Sequence, residues 1–308
     1  MKKEVIAHKD PKSPISEVFR TLRTNIQFMN TSGSTKTILI TSTLSGEGKS
    51  WVSSNLAVTF AQTGKNVLLI DADMRKGRQY AIWGISPIPG LSNYLSGVDV
   101  NSAGQTSNKL TDYVQKTEVD NLYVITAGNV PPNPSELLIS TKMVNLIEEA
   151  KDMWDVIIID GTPSQLVTDS LILARIVDST VIVTAANETK KEDLKRVFTN
   201  IQNVGGKIAG IVLNKVQVLP KSYNQSYYYG STDIQTSNSH RNRVNSSYSK
   251  IQMEDLLNNK KVDSEQKVEQ KNLNKISIEN QDEISLDKTN SILKEINDYL
   301  DKEKKNLW

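Results

Sequence analysis

Three features of the sequence predict an α/β fold with a mainly parallel β-sheet flanked by helices. Short apolar runs recur with helical segments between them, as strands buried on both faces require: Ile38-Leu39-Ile40, Val67-Leu68-Leu69-Ile70 and Val156-Ile157-Ile158-Ile159. The first run leads through Gly46-Glu47-Gly48-Lys49-Ser50 into an alanine- and leucine-bearing stretch, Asn55 to Phe60, that reads as a helix. The other two end in acids, Asp71 and Asp160. Strand, glycine-bearing turn and helix in that order make a P-loop, where backbone N–H groups and a helix N-terminus converge on one anion. The predicted fold is therefore a P-loop NTPase, with a flexible C-terminal tail appended.

Composition narrows what the chain can do. With 37% hydrophobic and 23% charged residues among 308, it suits a globular body with polar appendages. A net charge of +2 builds no strong field for nucleic acid, and no such partner is expected. There is no cysteine, which excludes disulfides and thiolate metal sites and agrees with a reducing cytosol. Met1-Lys2-Lys3-Glu4 lacks the apolar core of a signal peptide. No run approaches the roughly 18–20 apolar residues that cross a bilayer, so membrane contact is expected only through a partner.

In chain order, residues 1–36 read as an arm followed by a helix. The arm, 1–15, carries Pro11 and Pro14 among charges and is expected to be extended. Val18, Leu22 and Ile26, with Phe19 beside them, predict an amphipathic helix over Ser16–Met29 capped by Ser16. Glu17, Arg20 and Arg23 lie three apart on its other side, a spacing that by itself suits a solvated face. Residues 31–36 read as a linker, and 37–220 as the nucleotide-binding domain. Gly64 ends the P-loop helix, and Gly90 to Gly97 frames a short one. Residues 101–117 are polar and expected at the surface. Leu122–Ile125 reads as a strand, and a helix is expected from Ser135 to about Lys151 through Leu137, Met143, Val144 and Ile147. A strand ends at Asp160, after which Gly161, Thr162 and Pro163 turn the chain. Val181–Ala185, a helix from about Lys190 to Val204, and Ile208–Leu213 complete the alternation.

Residues 221–230 hold Tyr223, Tyr227, Tyr228 and Tyr229, four of the chain's ten tyrosines. Neither a helical nor a strand period buries adjacent tyrosines on one side, so the cluster is expected to be exposed. Residues 231–308 contain no Gly or Pro, are rich in Asn, Ser, Lys and Glu, and read as mostly disordered, with a possible helix near 284–300.

The candidate chemistry lies at strand ends, where open α/β sheets place their ligands. Gly46, Glu47, Gly48, Lys49, Ser50 and Trp51 form the expected nucleotide loop, with Lys49 on the phosphates and the Ser50 hydroxyl on Mg²⁺. Asp71 and Asp73 point the same way if the strand stays extended past Ile70. Asp160 suits a Walker B acid that reaches the same metal, and Asp169 lies nine residues further on. Asn214 follows the last strand, where an amide can read an adenine edge or simply make a turn.

Together these motifs resemble the bacterial tyrosine kinases of capsule and exopolysaccharide systems over residues 16–230. Glu17-Val-Phe-Arg20-Thr-Leu-Arg23 matches that family's Glu-x-x-Arg-x-x-Arg oligomerisation motif, which replaces the solvated-face reading. Gly46 to Ser50 matches its Walker A, Asp71-Ala72-Asp73-Met74-Arg75 its Walker A′, and Ile159-Asp160 its Walker B. Pro132-Asn133-Pro134-Ser135-Glu136 and the tyrosine cluster match as well. Ser45, Gly77 and Gly161-Thr162 depart from the pattern, all at turns. The resemblance implies an ATP- and Mg²⁺-dependent autokinase that phosphorylates Tyr223, Tyr227, Tyr228 and Tyr229 of a neighbouring copy and regulates polysaccharide polymerisation and export. Lys49, Asp71, Asp73 and Asp160 are then the catalytic candidates, and Ser50, Asp71 and Asp160 the metal ligands. It also implies a homo-oligomeric ring, a cognate tyrosine phosphatase, and a membrane-anchored activator (a polysaccharide co-polymerase) that holds a cytoplasmic kinase at the inner face of the plasma membrane. The competing reading is a partition- or division-site-type ATPase switch without kinase activity. Leu44, standing where those ATPases carry a lysine, and the tyrosine cluster argue against it.

Overall fold

A computed structural model describes residues 5–29, 35–97 and 109–216. Most of the 31–36 linker, residues 98–108, the tyrosine cluster and the 231–308 tail with its candidate helix lie outside the described residues. In chain order the elements are α1 (Ile6–Lys9), α2 (Pro14–Met29), β1 (Thr37–Ser42), α3 (Lys49–Ala61), β2 (Val67–Asp71), α4 (Gln79–Trp83) and α5 (Leu91–Ser96). A 3-10 turn (Leu110–Tyr113) follows, then β3 (Gln115–Lys116), β4 (Leu122–Ile125), α6 (Pro134–Ile139) and α7 (Thr141–Met153). β5 (Val156–Pro163), α8 (Asp169–Ala174), β6 (Ser179–Ala185), α9 (Lys191–Asn203) and β7 (Ile208–Asn214) finish the body.

The strands form one sheet in the order β3-β4-β2-β5-β1-β6-β7, parallel throughout except for the β3–β4 pair. Side chains alternate between two cores, as a strand buried on both faces dictates. Leu39, Leu68, Ile70, Ile157 and Ile159 face one core, where Leu146, Ile147, Val197 and Ile201 of α7 and α9 pack. Ile38, Ile40, Val67, Leu69 and Ile158 face the other, with Leu56 and Phe60 of α3 and Phe19 and Ile26 of α2. Register sets up the site: Asp160 lies beside Ile40 of β1 and beside Asp71 of β2. Asp160 therefore sits next to the strand that feeds the first loop, with Asp71 one strand further out.

Several local expectations give way. The arm is not wholly extended. Ile6–Lys9 makes a helical turn against α3, with the Ala7 N–H donating to Asn55 Oδ1 at 2.9 Å and Gln62 Nε2 donating to the Ala7 carbonyl at 2.9 Å. α2 starts at Pro14, not Ser16, because Ser13 accepts the Ser16 N–H while the Ser16 hydroxyl, fully buried, donates to the Asp10 carbonyl. Its inward stripe runs through Phe19, Leu22 and Ile26, leaving Val18 half exposed. The long helix after Pro134 is two helices, broken at Ser140, which turns extended and caps α7 by accepting the Met143 N–H; Val144 faces outward. The polar 110–117 stretch hides Leu110 and Tyr113, both buried, with Tyr113 edge-on to Tyr94. β5 does not turn after Asp160 but runs on to Pro163, beside Ser42.

Candidate functional site

Residues 43–48 carry the chain from β1 to α3, and Gly46 and Gly48 take φ of 89° and 97°, a region that favours glycine. At Gly48 the demand is double, since a Cβ there would collide with the Asn214 carboxamide. Asn214 Nδ2 donates to the Glu47 carbonyl at 2.7 Å, so the end of β7 braces the loop. The Glu47 carboxylate points away from the cleft. Its Oε2 accepts the Leu44 N–H at 2.7 Å and its Oε1 accepts the Thr189 hydroxyl. That leaves only its backbone for a ligand. The first-turn N–H groups of α3, beginning at Lys49, have no carbonyl within the helix to satisfy them.

Lys49 is the electrostatic centre. Its Nζ lies 3.0 Å from Oδ2 of Asp73, 3.5 Å from Oδ1 of Asp160 and 3.2 Å from the Ser50 hydroxyl. Burial works against its charge, but Asp160, then Asp73 and Asp71, outweigh that and raise its pKa above the ordinary value. Asp160 is fully buried, and its Oδ1 also accepts the Ser53 hydroxyl at 3.4 Å. Asp71, equally buried, sits behind this pair. Its Oδ1 accepts the Asp73 N–H at 3.3 Å and its Oδ2 the N–H groups of Arg78 and Gln79 at 2.8 and 2.9 Å. Burial first, and the nearby charge of Asp160 second, push its pKa up to about 7. The loop can fold this tightly over Asp71 because residue 77 is glycine; a Cβ there would press on Ala127 and on Oδ2 of Asp71.

In front of these groups opens a cleft of about 770 Å³. Ser45, Gly46, Gly48, Lys49, Ser50 and Trp51 line one side, Asp73, Arg75, Lys76 and Arg78 another, and Thr162, Pro163, Leu166 and Val167 a third. Trp51 stands half-buried at its wall, edge-on to Phe19 of α2 with ring centroids 5.2 Å apart. Arg75 grips Asp169 with two bonds, 2.8 and 3.1 Å, and reaches the Ser135 hydroxyl at 3.2 Å, joining three segments distant in sequence.

Of the residues selected from sequence, Lys49, Ser50, Asp73 and Asp160 converge, with Asp71 behind them and Gly46, Gly48 and Trp51 around the cleft. Asn214 and Glu47 hold the loop. Glu17, Arg20 and Arg23 are elsewhere, on α2: Arg20 pairs with Glu17 at 2.7 Å and Arg23 donates to the Thr59 carbonyl of α3 at 2.8 Å. The four tyrosines lie outside the described residues. Sequence reasoning missed Gln79, which binds Asp160, and the partners of Arg75. No periodicity marks either, since both join elements distant in sequence.

A parallel sheet that feeds such a loop, with buried strand-end acids around its lysine, defines a nucleotide-binding P-loop protein. A family model described as an AAA domain matches residues 35–213. The chain is 43% identical over 224 residues to the putative tyrosine-protein kinase CapB of Staphylococcus aureus, covering 72% of this chain and 92% of that protein. It is 36% identical over 233 residues to the tyrosine-protein kinase YwqD of Bacillus subtilis, covering 76% and 94%. Among solved structures it is similar to the chimerical protein CapA2B2, with TM-score 0.65, 36% identity and coverage of 70% and 90%. The chain belongs to the bacterial tyrosine-protein kinases of this capsular type.

Proposed function

We propose that this kinase transfers the γ-phosphoryl group of ATP to the tyrosines at 223 and 227–229 of a neighbouring copy, and so regulates polysaccharide polymerisation and export. The observation that carries the reading is the Lys49 ammonium held between Asp73 and Asp160 at the mouth of the P-loop. Phosphoryl transfer consists mostly of positioning and charge neutralisation, so a lysine with aspartates is sufficient equipment. Lys49 and the loop amides would hold the phosphates. Asp73 lines the cleft, whereas all of Asp71's observed bonds go to backbone N–H groups. That division favours Asp73 as acceptor of the tyrosyl proton and leaves Asp71 to support the metal site.

The donor set fits Mg²⁺. Two carboxylates, Asp73 and Asp160, contact one ammonium with Asp71 buried behind them, an excess of acid that a hard cation would offset. Among the described residues no group of three or more His, Cys, Asp or Glu could hold a metal by itself. Mg²⁺ characteristically takes one or two carboxylates plus waters and substrate phosphates, so Ser50 and Asp160, with Asp71 behind, are the residues that would hold it. Bound there, the metal would neutralise phosphate charge.

No helix among the described residues is long and apolar enough to cross a membrane. Attachment to the inner face of the plasma membrane would run through a membrane-anchored activator, and a tyrosine phosphatase would reset the tail. The test is incubation of the purified chain with labelled ATP and Mg²⁺ and mapping of phosphotyrosine. Labelling should fall on the 223–229 segment and vanish in Lys49→Met with the fold intact. Unchanged labelling in folded Lys49→Met would overturn the reading.

A further inference from the structure

Gln79 opens α4, is fully buried, and lies at the junction of both acidic strands and the P-loop helix. Its Nε2 donates to Oδ2 of Asp160 at 2.9 Å and to the Ser50 carbonyl at 3.1 Å. Its Oε1 accepts from the Ser54 hydroxyl at 2.8 Å and from the Trp83 indole N–H at 3.2 Å. Its backbone N–H donates to Oδ2 of Asp71 at 2.9 Å. A carboxamide has two donor hydrogens and two acceptor lone pairs, so this side chain is saturated. Its orientation is settled by its partners. An indole N–H can only donate and a backbone carbonyl can only accept, so Oε1 faces Trp83 and Nε2 faces Ser50.

We propose that Gln79 is a positioning residue for phosphoryl transfer, clamping Oδ2 of Asp160 to the Ser50 backbone so that Oδ1 alone serves Lys49 and the metal. Oδ1 is the oxygen that already meets Lys49 and the Ser53 hydroxyl. A free carboxylate can rotate and offer either oxygen, or both. With Oδ2 pinned, Asp160 offers one oxygen in one direction, and the same amide fixes the backbone of the residue whose hydroxyl is the other proposed ligand. Trp83 and Ser54, from α4 and α3, hold the far end of the amide, so the clamp is itself clamped. The inference rests on Ser50 and Asp160 being the metal residues.

Two full-length variants test it. Gln79→Met fills a similar volume without polar groups and so removes the donors to Asp160 and Ser50; Gln79→Glu keeps an oxygen for Ser54 and Trp83 and, when ionised, removes the same donors. Each is compared with wild type for melting temperature, for kcat and the Mg²⁺ midpoint of tyrosine phosphorylation, and for ADP affinity by calorimetry with and without MgCl₂. Loss of a group that orients a metal ligand typically costs 10- to 100-fold in metal affinity or activity. The folded variants should therefore show an Mg²⁺ midpoint raised about 10- to 100-fold and a lower kcat, with metal-free ADP affinity within about threefold of wild type. A wild-type midpoint and kcat in a folded variant would overturn the proposal. So would an equal loss of ADP affinity with and without metal, which would mean general damage to the P-loop. Failure of both variants to fold would overturn it too, making Gln79 a residue of the fold and not of the site. If wild-type protein itself binds ADP with no dependence on Mg²⁺, the metal-site reading fails, and the proposal with it.

Discussion

Asp73 and Asp71 are two residues apart, yet their surroundings divide them. Asp73 contacts Lys49 and lines the cleft, while Asp71 is enclosed by backbone N–H groups. If Asp73 takes the tyrosyl proton, Asp73→Asn should lower kcat by about 10²- to 10⁴-fold, the usual contribution of a general base. Its KM for ATP should change far less, which steady-state assays at varied ATP would show. Away from the site, Asp178 makes a separate case. Burial raises its pKa, but the N–H groups of Thr37 and Lys36, 2.8 and 2.9 Å from Oδ2, with the Thr37 side chain, bring it below the ordinary 3.8. A depressed folded pKa contributes stability above about pH 4 that is lost as pH falls through the folded value. Asp178→Asn should therefore lower the melting temperature at pH 7 and do so progressively less below pH 4. Asp71 has the opposite sign. Its raised pKa means that ionisation between about pH 4 and about 7 weakens the nucleotide-free fold.

Elements were legible in the sequence where burial was continuous. β1, β2, β5 and β6 announce themselves as apolar runs, because a strand covered on both faces has no room for polar alternation, and the partly exposed β4 and β7 read as apolar runs too. The P-loop was legible for a related reason: its glycines, lysine and serine are set by local backbone geometry. What depends on distant neighbours was not. The turn at Ile6–Lys9 and the burial of Leu110 and Tyr113 exist because another element covers them. Gln79 is the sharpest case, since its partners come from β2, α3, α4 and β5 and none is near it in sequence except Trp83. One element-level test follows from the break at Ser140. Ser140 caps α7 through the Met143 N–H at 3.3 Å and ties back to the Leu137 carbonyl at 2.7 Å. Ser140→Ala should destabilise the domain by about 0.5–2 kcal/mol, readable as a lower urea midpoint with unchanged slope.

For the whole molecule, the proposed ring depends on α2, and α2 is already committed inside its own subunit. Arg23 bonds to α3, Arg20 bonds to Glu17 and to the Pro11 carbonyl, and Phe19 contacts Trp51 beside the cleft. Replacing Glu17, Arg20 and Arg23 together by alanine should give monomers by light scattering, and because Arg23 ties α2 to α3 it should also lower the melting temperature. A wild type that is monomeric with ATP, activator and unphosphorylated tail all present would return the motif to a solvated face. The tail supplies the second lever. Four phosphotyrosines would carry roughly −6 to −8 charges at pH 7. Such a segment would be repelled by Asp71, Asp73 and Asp160, so phosphorylated protein should have a smaller mass in solution than dephosphorylated protein at matched salt and nucleotide. Equal masses would mean that the cluster acts on something other than assembly.

The ion pairs of Lys49 give the site a logic of its own. An anion arriving alone must draw the ammonium off Asp73 and Asp160, stranding two buried carboxylates with no counter-charge. A cation arriving alone must compete with the lysine for the same oxygens. Only a ligand that brings negative and positive charge together leaves every group matched, so the pocket behaves as a two-key lock. Phosphate or free nucleotide would turn one key and magnesium the other, so nucleotide should bind more tightly with the metal than without it. Such a lock would discriminate against small anions by charge balance alone.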